Sequence, residues 1–507
     1  MKHLSSILLT SATALVAFGA QAADLPSKKA APAEYVRICN TFGAGFFYIP
    51  GSDACVKLGG VIRGEYTYRG GAPGGVINQW AYNLAGAVYP RDALAMRGRY
   101  FLNVDVREPT ANGDLKAYFN LRATNDSLAP GPLGGGKIAV AGLPPGVKES
   151  AGLFQGLPNN QFYVENAYIQ WAGIEAGVDY SKFDFYTHGY ELLSVSVGTS
   201  AQPLTMLAYT AKFGGGFSAT ASVEDPTARR VADSTADIGI ANNDPKNATT
   251  GAFLTYGGVK LPEFVGNLRY DGSWGSVQVA GAAHQVTSAP IFGCSAAGSG
   301  GINCGNVGDT HFLPLGYTPS SVWGFAVEGG AKIKLDAISP GDSATVQVSY
   351  AQGAMDYVNA LNHYDGTSNV YASNQVIGVP VNDAFVLPNG SIGLSKATGA
   401  FAGFQHYWVP TVRSALFGSY LQITNPAAAQ ALTAGADNAK VWDVGFNTIW
   451  SPVKALDIGA EVVYTNLNLS GVPAKQFTVQ PNSSASTLPI PGNSNDVRGR
   501  LRIAVTF

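Results

Sequence analysis

The stretch RGRYFLNVDVREPTANGDLKAYFNLR, residues 97–122, decides the fold. Tyr100, Leu102, Val104 and Val106 alternate with Arg97, Arg99, Asn103, Asp105 and Arg107, and Phe101 is the one apolar residue on the charged side. The Asn112-Gly113 pair is a turn signal. After it Leu115, Ala117, Phe119 and Leu121 alternate with Lys116, Tyr118, Asn120 and Arg122. Side chains two apart share one face of a strand, so the segment predicts a hairpin with one apolar and one charged face. Its strands are longer than the roughly 5–6 residues usual in soluble sheets. They suit a tilted crossing of hydrocarbon, which takes about 9–11.

The same period recurs along the chain. Val56, Leu58, Gly60, Ile62, Gly64, Tyr66 and Tyr68 oppose Lys57, Gly59, Val61, Arg63, Glu65 and Thr67. Leu268, Tyr270, Gly272 and Trp274 oppose Asn267, Arg269, Asp271 and Ser273, and similar patterns run through 323–334, 442–450 and 456–465. The chain closes with Val497, Gly499, Leu501, Ile503, Val505 and Phe507 against Arg498, Arg500, Arg502 and Thr506.

Between the strands, short turns at 109–113, 214–216, 339–342, 409–411 and 452–455 contrast with long polar stretches at 69–92, 125–161, 182–203, 225–262, 287–320, 355–392, 424–438 and 468–494. Eight long loops joined by short turns imply sixteen antiparallel strands. Short turns on one rim and long loops on the other is the asymmetry of outer-membrane barrels. In lipid every backbone N–H and C=O must be paired inside the protein, which a closed sheet achieves. A barrel of this size encloses an aqueous lumen. An arginine facing lipid near the midplane costs about 2–4 kcal/mol, so Arg99 and Arg122 must point inward.

Composition agrees. Of 507 residues 46% are hydrophobic and 13% charged, against about 25% charged in soluble domains, because half of each strand cannot carry charge. A net charge of −2 excludes a basic nucleic-acid footprint. Residues 1–22 read as a cleaved secretory signal: Lys2, an apolar run from Ile7 to Ala20, and the small-x-small site Ala20-Gln21-Ala22. Residues 23–54 are then a periplasmic segment and 55–507 the barrel. No catalytic constellation is visible among the six histidines, of which His188 lies in the third long loop, so no enzyme is expected. Gly134-Gly135-Gly136-Lys137 is followed by Ile138 where a phosphate loop needs Ser or Thr. No histidine stands near the cysteines at zinc-ligand spacing. Neither metal nor cofactor is expected.

Three runs carry a family resemblance: Glu34-Tyr35-Val36-Arg37-Ile38-Cys39, Phe42-Gly43-Ala44-Gly45-Phe46-Phe47-Tyr48-Ile49-Pro50-Gly51 and Cys55-Val56-Lys57-Leu58-Gly59-Gly60. Together with Gly266-Asn267-Leu268-Arg269-Tyr270-Asp271, Trp274-Gly275 and the terminal strand ending in Phe507, they resemble the alphaproteobacterial general porins. The resemblance implies a homotrimer of sixteen-stranded barrels in the outer membrane of a Gram-negative bacterium, among lipid and lipopolysaccharide, that passes small hydrophilic solutes. It further implies that the third long loop folds into each pore, and that Phe507 looks like the signal read by the barrel-insertion machinery.

Cys39 and Cys55 flank the family motif and read as a disulfide clipping the pre-barrel segment to the first strand, the alternative being two buried thiols. Cys294 and Cys304 read as a local bridge within one loop. The third loop is apolar for a surface loop (Phe183, Phe185, Tyr186, Tyr190, Leu192, Leu193), as packing on an inner wall requires. Asp184 and Glu191 are expected to face the lumen opposite wall bases drawn from Arg63, Arg97, Arg99, Lys116 and Arg122, forming the constriction. The leading reading is a non-specific diffusion channel. A substrate-selective channel of sugar type and a secreted all-β adhesin are the alternatives.

Overall fold

A computed structural model describes residues 37–69, 94–126, 160–193, 198–200, 203–229, 233–235, 257–288, 318–358, 369–370, 379–380, 382–387, 390–432, 438–470, 476–479, 486–489 and 493–507. Sixteen long strands form one closed sheet: β1 (Cys55–Arg69), β2 (Leu94–Thr110), β3 (Gly113–Asp126), β4 (Asn160–Trp171), β5 (Ile174–Tyr180), β6 (Pro203–Gly214), β7 (Phe217–Glu224), β8 (Glu263–Gly272), β9 (Gly275–Val286), β10 (Val322–Lys334), β11 (Ser343–Gln352), β12 (Lys396–Val409), β13 (Val412–Thr424), β14 (Asn438–Val453), β15 (Leu456–Ser470) and β16 (Asn493–Thr506). Neighbours pair antiparallel, and β16 returns to β1 from Val61 opposite Thr506 to Arg69 opposite Arg498. That seam leaves no edge strand, so the backbone can be satisfied in hydrocarbon. At its foot Gly60 and Phe507 exchange both backbone hydrogen bonds.

The alternation holds in three dimensions. Tyr100 and Leu102 on β2, Val327 on β10 and Leu501 and Ile503 on β16 are exposed outside, while Arg99 and Arg122 are buried inside. Trp171, Trp274, Trp408 and Trp450 project at the short-turn rim, and Tyr68, Phe162, Trp323 and Trp442 toward the other, as in the aromatic girdles at the two interfaces of outer-membrane barrels.

All five expected turns are present, and two more complete the rim at 172–173 and 273–274. Ala172 and Gly173 both take positive φ, 50° and 88°, as a type I′ turn demands, with alanine where Asn, Asp or Gly is usual. The expectation that Trp274 continues the outer face of β8 is corrected: β8 ends at Gly272 and Trp274 sits in the turn. Cys39 and Cys55 are bridged. The bridge holds a short ribbon, Phe47–Tyr48, on the first residues of β1. Cys294, Cys304 and the signal segment lie outside the described residues.

Leu102→Arg puts a cation on the lipid face and is expected to destabilise the barrel by about 2–4 kcal/mol, measured by urea unfolding in vesicles. Leu102→Phe, which keeps that surface apolar, is expected to change little.

Candidate functional site

Residues 182–193 of the third long loop lie inside the barrel, along the wall from β8 to β16. A buried strand-free segment must find partners for its backbone, and here the wall side chains provide them in sequence. Asn267 on β8 donates to the carbonyl of Lys182 and Gln278 on β9 to that of Phe183, at 2.5 and 3.0 Å. Glu328 on β10 and Gln347 on β11 accept from the amides of Phe185 and Tyr186, both at 2.7 Å. Asn447 on β14 donates to the carbonyl of Tyr190 at 2.6 Å. Glu461 on β15 accepts from the amides of Leu192 and Leu193 at 2.6 and 2.5 Å. Arg500 on β16 donates to the Leu192 carbonyl at 2.8 Å, and Arg502 donates to the same oxygen.

The rings of the loop are fitted to gaps in that wall. Tyr186 stacks on Phe401 of β12 with centroids 4.0 Å apart, and the Tyr190 hydroxyl bonds Thr345 at 2.8 Å. A methyl group at Gly330 would stand 2.4 Å from the Phe185 ring, and one at Gly403 2.7 Å from Tyr190. Phe183 joins Met355, Tyr357 and Val358 of the loop after β11 in an apolar core against small wall residues, among them Ala280, Ala326, Ala351 and Ala397. The inner stripe of β8–β14 is therefore largely dry. Loops cover this part of the wall.

The acids of the loop turn away from the wall bases. Asp184 is buried and accepts from the amide and hydroxyl of Ser200, at 3.2 and 3.0 Å. Its cation is Arg229, 3.8 Å away. That guanidinium, fully buried, also stands within 3.4–4.0 Å of Glu263, Asp356 and Glu224 and 3.9 Å over the Tyr357 ring. Burial pushes the Asp184 carboxyl up to about 6 despite Arg229 and Ser200. The expectation that Asp184 faces the lumen opposite the wall bases is thus corrected, since Arg229 reaches it from the next long loop. Glu191 is held inside its own loop by the Tyr186 hydroxyl and His188 Nδ1. It does not project toward the bases. Burial disfavours charge on both His188 and Glu191. Their mutual attraction prevails, so the imidazole sits above its ordinary value and the carboxyl below its own.

The bases gather on the opposite arc of the wall. Arg63, Arg97, Arg99 and Arg122 come together on β1–β3, joined by Arg500 and Arg502 of β16 across the seam. Glu65 receives four guanidiniums: Arg502 at 2.6 Å, Arg63 at 3.5 Å, Arg500 at 3.6 Å and Arg97 at 3.7 Å. Arg99 donates to Thr124 at 3.1 Å and Arg122 to Glu165 at 2.9 Å. Lys116 does not belong to this group. Six residues along β3 from Arg122, about 20 Å at the strand rise, it donates to the Tyr168 hydroxyl at 3.0 Å and lies 5.1 and 5.0 Å from the rings of Tyr118 and Tyr168. Sequence reasoning placed Arg500 and Arg502 on the inner face but not in the site. Their membership follows from barrel closure, which sets the last strand beside the first.

A closed antiparallel barrel with apolar outside, arginine-rich inner wall and an inward loop defines an outer-membrane channel protein. A porin subfamily model matches residues 24–488, and the chain belongs to that family. Porin Omp2b of Brucella abortus is 31% identical over 286 residues, 54% of this chain and 64% of that protein. The same porin of Brucella melitensis is 32% identical over an equal length. The match thus spans a little under two thirds of these relatives. Among solved structures the outer membrane channel DcaP of Acinetobacter baumannii has a TM-score of 0.53 at 15% identity, over 91% of this chain and 99% of its own, a likeness of fold. Fold and family place the chain in the outer membrane of a Gram-negative bacterium.

Glu461→Leu leaves two buried loop amides without an acceptor, at about 1–3 kcal/mol each. It is expected to loosen the loop, seen as larger and noisier single-channel currents. The His188–Glu191 pair adds loop stability above the carboxyl range and below the raised histidine value. That contribution is lost as pH falls through the lowered Glu191 value or rises through that of His188. Current noise is expected to increase on both sides of this window, and His188→Gln is expected to abolish the alkaline limb.

Proposed function

We propose that this chain forms a water-filled channel for passive diffusion of small hydrophilic solutes and ions, acting as a homotrimer and not as a catalyst. One observation carries the reading: six arginines, Arg63, Arg97, Arg99, Arg122, Arg500 and Arg502, line one arc of the lumen, while the third long loop narrows the other. Among the described residues the carboxylates ion-paired with them are Glu65 and Glu165, so these eight groups sum to a formal charge of +4. An excess of one sign in a low-dielectric constriction concentrates the opposite ion. The pore therefore prefers anions. The acids expected to complete a transverse field are engaged within the loops, so the constriction acts through the net charge of its bases. Arg63, Arg97, Arg99 and Arg122 belong to it, and Lys116, Asp184 and Glu191 act elsewhere, the latter two in fixing the loop.

In this reading residues 1–22 are removed on export, 23–54 remain periplasmic, and the barrel meets lipid and lipopolysaccharide through its apolar face. The terminal ring of Phe507 is exposed, which suits recognition by the barrel-insertion machinery.

In planar bilayers the chain is expected to give ohmic single-channel steps and an anion-selective reversal potential in a KCl gradient. Arg99→Ala and Arg122→Ala each remove one wall charge and are expected to move that potential toward cations. Unchanged potentials in both variants would remove these residues from the constriction.

A further inference from the structure

Between the arginine arc and the short-turn rim the inner wall carries two neighbouring rings. Tyr118 on β3 and Tyr168 on β4 stand directly opposite each other, with centroids 5.3 Å apart and planes tilted by 35°. Both face inward, since Phe119 and Ile169 beside them are exposed outside. Tyr118 lies four residues along β3 from Arg122, about 13 Å at the strand rise. Both tyrosines are only half-buried, unlike the loop-covered inner face of β8–β14. Their row runs from Asp105 on β2 to Gly177 on β5, and Gly177 sets no side chain against Tyr168. The pair thus offers an apolar patch within a polar wall.

The charges around these rings balance, unlike those of the arc. Arg107 grips Asp105 with two donors, at 2.9 and 2.7 Å. Lys182 reaches Glu175 at 2.6 Å and Asp179 at 3.0 Å, and Lys116 bonds the Tyr168 hydroxyl at 3.0 Å. Three cations and three carboxylates sum to a formal charge of zero. The Arg107 and Asp105 side chains stay 30% and 16% exposed, so a solute can reach them. A guanidinium has five N–H donors and a carboxylate about four acceptor sites. A pair joined by two bonds therefore still has donors and acceptors to offer. Asp105 shares a row with Tyr118, and Arg107 stands in the next.

Such a surface suits a neutral solute that has both an apolar face and hydroxyls. The C–H groups of a pyranose ring are drawn to the negative face of an aromatic ring, and its hydroxyls both donate and accept. An inorganic ion meets only charges that are already matched.

We propose that Tyr118 and Tyr168, with the Asp105–Arg107 pair, form a subsite for uncharged saccharides in the short-turn half of the lumen. The inference deepens the channel reading and rests on it. The sugar lies against the two rings, and its hydroxyls donate to Asp105 and accept from Arg107. Below the arginines, solutes are thus sorted by shape and hydrogen bonding.

The test uses the full-length chain in planar bilayers, with KCl steps recorded first to establish the pore. Maltotriose is then titrated in, and in parallel a polyethylene glycol of similar mass, which has ether oxygens but no pyranose face. Maltotriose is expected to reduce the current saturably, and the glycol only in proportion to its concentration. Tyr118→Ala and Tyr168→Ala are each expected to raise the half-blocking maltotriose concentration about tenfold, as the loss of one ring contact implies. Tyr118→Phe, which keeps the ring, is expected to keep the affinity. A conducting pore on which maltotriose acts as the glycol does overturns the subsite and leaves the channel reading intact. So does a saturable block that persists undiminished in the alanine variants. Absence of KCl steps overturns the channel reading itself and this inference with it. Should one alanine variant fail to insert, the other decides.

Discussion

In hydrocarbon a peptide N–H has no water to bond, and every unpaired backbone group costs several kcal/mol. This constraint accounts for most of what the chain does. It requires strands to pair on both sides, so β16 must return to β1. It sets strand length and makes the outward residue of each pair apolar. The inward residue is then free to be an arginine, because the inner face does not meet lipid. The low proportion of charged residues and the cluster of arginines within one arc have the same origin: charge excluded from one face is collected on the other.

The same accounting governs the loop inside the barrel. Segment 182–193 has no strand partner, yet its amides and carbonyls are met by Asn267, Gln278, Glu328, Gln347, Asn447, Glu461, Arg500 and Arg502, one wall strand after another. Wall polar residues thus do two jobs. On β8–β15 they hold the loop, and on β1–β3 they gather around Glu65 on the opposite arc. Arg500 and Arg502 belong to both sets, bonding the loop carbonyl and Glu65 alike. The loop and the arginine cluster are thus joined through two residues of the last strand.

Much of the fold was legible because alternation is local. Residues 97–122 alone predicted the hairpin of β2 and β3, and the eight long loops predicted the strand number. The turn at 172–173 escaped because Ala172 carries a positive φ that alanine does not advertise. The turn at 273–274 escaped because, in the sequence, Trp274 falls in step with Leu268 and Tyr270 although the strand ends at Gly272. The site was half legible. Parity alone put Arg63, Arg97, Arg99 and Arg122 on the inner face, and they do come together. Asp184 was misplaced because its partner, Arg229, arrives from another loop at a sequence distance no local pattern records. Lys116 shares the correct face but the wrong height. Resemblance to the general porins, confirmed by the porin subfamily match, pointed to the loop. The wall residues that hold it could be found only from the register.

The central claim is that neighbouring residues of one strand see two different solvents. Single cysteines placed at 99 through 104 on β2, in a chain whose Cys39 and Cys55 are bridged, test it by labelling in vesicles. Positions 99, 101 and 103 are expected to react with a charged, water-soluble thiol reagent, and 100, 102 and 104 only with one dissolved in the bilayer. Labelling of position 100 or 102 from water while 99 reacts only from lipid, or no alternation at all, would contradict the account.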